Sequence, residues 1–195
     1  MRLKRPNRPL LHRMKRYLIT DPHYYHDLPT FEVYLQRAFA KSPDLVCLRD
    51  KRTSDLTPYA RCFRSVAKRV GIENVLINSR IDLAVSEGFW GVHLTSSQFD
   101  RIAEAKSAGL FVIVSTHTIE EGKSAAAKGA DAVTISPIFP SPGKGEPKGI
   151  DFLKHYLHEV RNIDVFVLGG IVSDAQIASL EGSGVAGFAS IRYFL

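Results

Sequence analysis

No stretch of this 195-residue chain approaches the roughly 18 consecutive apolar residues that a membrane span needs, so no membrane role is expected. Cysteine is scarce. Cys47 and Cys62 are the only two, and neither has a CxxC partner, which argues for buried free thiols in a reducing compartment rather than a disulfide or a metal site. A secretory leader is not indicated, because the apolar patch Leu10-Leu11 is too short and no small-residue cleavage site follows it. The expectation is a cytoplasmic protein. The body also lacks excess charge. The formal net charge is +6, yet residues 1–16 hold Arg2, Lys4, Arg5, Arg8, Arg13, Lys15 and Arg16 and no acid, leaving 19 basic residues against 20 acidic ones beyond them. This describes a basic arm over 1–16 and a near-neutral domain over 17–195. Nothing in the chain reads as a nucleic-acid-reading module.

Apolar residues make up 45% of the sequence, enough for a large core. They fall into eight strand-like runs, at 17–21, 45–48, 75–77, 90–94, 111–114, 132–136, 165–168 and 187–191. Between them lie helical patterns at about 30–41, 57–70, 81–87, 97–108, 119–128, 151–160 and 174–180, with Thr30 read as the cap of the first. Apolar strands alternating with helices call for a parallel sheet. Eight such units predict an α/β fold of the (β/α)8 TIM-barrel type, with a doubly wound open sheet as the runner-up. Only four residues follow the last strand, so a full eighth helix is not expected. The resulting apolar flank at Tyr193, Phe194 and Leu195 suggests a homodimer.

In such folds the ligand sits beyond the carboxyl ends of the strands, which makes the polar residues there the candidates. His117 follows the fifth strand, Ser136 ends the sixth, and Lys144 lies in a Pro/Gly-rich loop over 138–148, where a lid would be placed. Arg49 and Lys51 alternate after the second strand and suit an anion, with a surface ion pair as the plainer reading; Asp50 between them faces the other way. Gly169, Gly170, Ile191 and Arg192 follow strands seven and eight, a common phosphate position, although a Gly-Gly turn can be needed for geometry alone. His93 is read as a hydrogen-bonded barrel histidine.

The blocks Leu48-Arg49-Asp50-Lys51, Leu76-Ile77-Asn78-Ser79-Arg80, Gly91-Val92-His93-Leu94, Ser115-Thr116-His117-Thr118, Ser136-Pro137-Ile138-Phe139-Pro140 with Lys144, and Leu168-Gly169-Gly170-Ile171 occur in this order. Together they resemble the thiamine phosphate synthase and TenI (thiazole tautomerase) superfamily over residues 17–191. The resemblance implies a phosphorylated thiazole as ligand, with Arg49, Lys51, Asn78, Ser136 and Lys144 binding substrate. The synthase branch would also carry aspartates for Mg²⁺. At the matching positions this sequence has Ser79 and, in the block after strand four, Gln98. The resemblance therefore leans to the TenI branch: a metal-independent isomerase without a cofactor, in which His117 moves a proton. A divergent synthase and a non-catalytic thiazole-phosphate-binding regulator are the alternatives.

Overall fold

The computed structural model describes residues 13–195; the part of the basic arm at 1–12 lies outside the described residues. Eight parallel strands close into a barrel in chain order. They are β1 Lys15–Ile19, β2 Leu45–Leu48, β3 Val75–Asn78, β4 Gly91–Leu94, β5 Phe111–Thr116, β6 Ala132–Ile135, β7 Asp164–Leu168 and β8 Gly187–Ser190. Register between β1 and β8 (Tyr17 with Ala189) completes the ring. The helices are α1 Leu28–Phe39, α2 Thr57–Arg69, α3 Ile81–Ser86, α4 Ile102–Ser107, α5 Ile119–Ala127, α6 Gly149–Glu159 and α7 Asp174–Ala178.

Alternation along each strand separates two apolar layers. Tyr17, Ile19, Leu45, Cys47, Leu76, Ile113, Phe166 and Ala189 fill the barrel, whereas Leu18, Val46, Leu48, Ile77 and their equivalents meet the helices. Side-chain caps set the helix starts. Thr118 and Glu121 form a reciprocal capping box on α5, and Ser173 and Gln176 form one on α7.

Several expectations need correction. Thr30 is not the cap of α1: Asp27 is, and Thr30 returns the bond from the third position of the same capping box. The fourth helical stretch opens as a 3-10 turn, Phe99–Arg101, before α4. β5 continues through Ser115 and Thr116, and the strand run begins at Lys15, inside the basic segment. Cys47 is buried but Cys62 only half-buried. After β8 there is a single 3-10 turn, Arg192–Phe194. Phe194 does not belong to an exposed flank, because it is buried and stacks on Phe188 at 6.3 Å between ring centres. Among the described residues no helix is long and apolar enough to cross a membrane.

Candidate functional site

The inward-facing series on the strands run out at the carboxyl end of the barrel into polar side chains. Leu45 and Cys47 lead to Arg49 and Lys51, Leu76 to Asn78, and Ile113 to Ser115 and then His117. These side chains line a cavity of about 510 Å³ together with Ser136, Lys144, Gly169, Gly170, Ile191 and Arg192. All ten residues singled out in the sequence therefore border one cavity.

Four of them are cationic. Arg49 is the most enclosed, with 29% of its side chain exposed, and its guanidinium lies 3.6 Å from Asp21. Its backbone is held by buried Thr20, whose Oγ1 accepts from Arg49 N–H at 2.8 Å and donates to Arg49 C=O at 3.1 Å. Asp50 faces away from the cavity, accepting from the Tyr25 hydroxyl, Thr53 Oγ1 and the N–H groups of Arg52 and Thr53. That bonding leaves Arg49 and Lys51 on the cavity side. Lys51, Lys144 and Arg192 are exposed at the rim. Among the described lining residues Asp21 is the one carboxylate. Its pKa is held below the usual range: burial pushes it up, but bonds from His23 and the charge of Arg49 outweigh that.

His117 is exposed to the cavity, and its backbone N–H donates to the Glu121 carboxylate. Its Nδ1 lies 3.0 Å from the Ser136 carbonyl oxygen, which can only accept, so Nδ1 carries a proton. In the neutral ring Nε2 is then an acceptor, and among the described residues it has no partner. The imidazole thus bonds the end of β6 and leaves a basic nitrogen free.

Gly169 and Gly170 have φ of 95° and 76°, in the region that disfavours side chains. A Cβ on Gly170 would lie 2.6 Å from Phe139 O, and one on Gly169 2.9 Å from Pro137 Cα. The turn is therefore glycine partly so that the 138–148 loop can lie on it. Ile138 and Phe139 N–H groups donate to Leu168 and Gly169 carbonyls, pinning the base of the loop, while Ser141 and Lys144 reach the rim.

The β3 and β4 side of the mouth is uncharged. Asn78 Nδ2 donates to His93 O at 2.8 Å, and Gln98 bridges Ser79 O and Thr95, accepting from Thr95 N–H and donating through Nε2. Ser79 has φ of 66°. Below them, His93 is buried and hydrogen-bonded on both ring nitrogens, to Tyr17 and to Ser115. Ser115, Asp21 and Tyr24 border the cavity but were not candidates from sequence. For Ser115 the signal was present, since it lies two residues beyond inward-facing Ile113. The arrangement can bind a multiply charged anion at the rim, present the Nε2 edge of His117 and offer hydroxyl and amide groups to a ring in between.

The family described as "Thiamine monophosphate synthase" (TMP-TENI) matches residues 16–194. A protein of Geobacter sulfurreducens named "Putative thiamine-phosphate synthase" is 37% identical over 182 residues, covering 90% of this chain and 84% of its own length. The thiamine-phosphate synthase of Alkaliphilus oremlandii is 31% identical over 171 residues, covering 83% and 78%. A solved structure of thiamine phosphate pyrophosphorylase from Pyrococcus furiosus superposes with a TM-score of 0.77 at 23% identity, covering 91% of this chain and 85% of the other. That structure supports the shared fold.

Proposed function

The chain belongs to the thiamine monophosphate synthase family, and from that membership we propose that it joins a thiazole phosphate to a hydroxymethylpyrimidine diphosphate. The observation that carries this reading is the convergence of Arg49, Lys51, Lys144 and Arg192 on one cavity with a single carboxylate. Two phosphorylated substrates need such an excess of positive charge, and a cavity of about 510 Å³ has room for two small rings. The sequence on its own leans to the tautomerase; the synthase names borne by relatives at 37% and 31% identity turn the preference to the alternative.

In this reaction the bond between the pyrimidine methylene carbon and the diphosphate oxygen breaks, and its electron pair leaves with pyrophosphate. The thiazole ring nitrogen supplies the pair for the new C–N bond. Arg49 and Lys51 would meet the charge that grows on the leaving group, the step at which fixed cations contribute most. Gly169, Gly170, Ile191 and Arg192 would hold the thiazole phosphate, and Lys144 would close from the loop. Asn78 and Ser136 would contact the rings.

The synthase branch implies Mg²⁺, and the residues present do not fit it. By the resemblance, Ser79 and Gln98 stand where the synthase has its aspartates; neither side chain is anionic, the Gln98 amide is tied to Ser79 O and Thr95 N–H, and Asp21 is engaged by His23 and Arg49. A hard dication prefers anionic oxygen, which this side of the cavity lacks. No step above is routed through a metal.

A second reading, the TenI-type tautomerisation of a thiazole carboxylate phosphate, is favoured by the free Nε2 of His117. It needs only a neutral base that takes a proton from ring carbon and returns it elsewhere. Incubation with each substrate set separates the two. Pyrophosphate release from the thiazole phosphate and pyrimidine diphosphate pair supports the synthase. Tautomerisation without pyrophosphate, lost in His117→Ala with ligand binding retained, supports the second reading and overturns the first.

A further inference from the structure

Tyr17, His93 and Ser115 form a hydrogen-bonded chain from the middle of the barrel to the cavity floor. The Tyr17 hydroxyl lies 2.9 Å from His93 Nδ1, and His93 Nε2 lies 3.0 Å from Ser115 Oγ. Tyr17 is wholly buried and His93 nearly so, while Ser115 borders the cavity. The direction of donation along this chain can be decided from its inner end. A buried phenol needs an acceptor for its proton. Besides the imidazole, the group beside it is the Cys47 thiol, a weak acceptor whose Sγ is directed to Leu48 O at 3.8 Å. Imidazole nitrogen is the better acceptor, so the phenol donates to Nδ1. A neutral ring with Nδ1 accepting must carry its proton on Nε2 and donate it to Ser115 Oγ. With its oxygen occupied as an acceptor, and no other side-chain partner among the described residues, the serine has its own proton free for the cavity. The ring stays neutral because burial, and after it the charge of Arg49, lowers its pKa to about 4.

We propose that Tyr17 and His93 are positioning residues: Tyr17 fixes the Nε2–H tautomer of His93, and His93 turns the Ser115 hydroxyl into a hydrogen-bond donor aimed at the bound ring. This deepens the synthase reading and rests on it for the identity of the ring. The opposite polarity, with Ser115 donating inward, would offer that ring an acceptor instead.

The test is long-range proton–nitrogen NMR of the full chain labelled at histidine, recorded without substrate. His93 is expected with a protonated Nε2 and an unprotonated Nδ1, unchanged between pH 7.5 and 5.5. A proton on Nδ1 overturns the proposal. In Tyr17→Phe, which keeps the ring and its packing, an Nδ1–H population is expected. Turnover should fall about five- to tenfold, the size of one aligned hydrogen bond, with affinity for thiazole phosphate within about twofold. Ser115→Ala should give the same fall, and the double variant no more than either alone. An unchanged tautomer and kcat in Tyr17→Phe, or additive losses in the double variant, would overturn the relay. Since the tautomer is read without substrate, absent turnover of the wild-type chain would count against the reaction and not against the relay.

Discussion

Acidification should destabilise this barrel through His93 before any carboxylate contributes. His93 is 3% exposed, and burial together with Arg49 lowers its pKa to about 4; in the unfolded chain a histidine titrates near about 6.5. Between those values the unfolded chain binds a proton that the folded chain does not. Unfolding free energy therefore rises with pH by about 1.4 kcal/mol per unit across this window. The stabilisation is complete above about pH 6.5 and is lost as pH falls towards 4. From pH 7.5 to pH 5 the loss is about 2 kcal/mol. Asp21 and Asp50, whose pKa values are lowered in the fold, act in the other window: their contribution is present above about pH 3.9 and is lost only below it. Urea unfolding at pH 7.5, 6 and 5 measures the slope. His93→Gln removes the titrating group, and its curve should be flatter by about 2 kcal/mol over the same range. Equal slopes in the two proteins would refute the assignment of a buried neutral imidazole beneath the cavity.

Other consequences follow from the same geometry. Arg49→Ala should weaken thiazole phosphate or pyrophosphate binding by about ten- to a hundredfold in calorimetry, the range of a charge-assisted hydrogen bond. Asp21→Asn in that background should recover about two- to fivefold, because the carboxylate left alone repels the anion; unchanged binding in Arg49→Ala would contradict the cradle. Gly122→Ala should lower stability by about 1–2 kcal/mol in urea titration. A Cβ there would crowd the Tyr156 hydroxyl and lie 2.7 Å from Val160 Cγ2, and that overpacking outweighs the gain of about 1 kcal/mol in helix propensity. Manganese, used as a spectroscopic stand-in for magnesium, should show no binding to the ligand-free chain at micromolar concentrations. Tight binding would show that Asn78, Ser79 and Gln98 form a cation site after all.

Much of the barrel was legible because its strands are buried on both faces and read as short apolar runs, as at 45–48 and 165–168, each closed by small or polar residues. Alternation carried the reading past the strand ends to Arg49 and Lys51. In β5 the apolar run ends at Val114, whereas the strand continues through Ser115 and Thr116, so the apolar pattern alone does not mark Ser115 as an inward-facing residue beside His93. The helix caps were harder to read. In Asp27-Leu28-Pro29-Thr30 both end residues are capping types, and only the bonds show that Asp27 leads. Phe194 was misplaced because sequence could not show that the final turn folds back over Phe188. The synthase and tautomerase readings of this chain rest on the same barrel and the same cationic cavity. Ser79 and Gln98 pulled the reading towards the tautomerase, whereas the relatives carry the synthase name.

The most direct measurement is pyrophosphate release by the purified full chain given thiazole phosphate and hydroxymethylpyrimidine diphosphate together. Pyrophosphate and coupled product are expected in equal amounts, with release strongly reduced in Arg49→Ala. Thiazole phosphate bound in the cavity with no pyrophosphate formed, or pyrophosphate formed equally well without Arg49, would contradict the synthase reading.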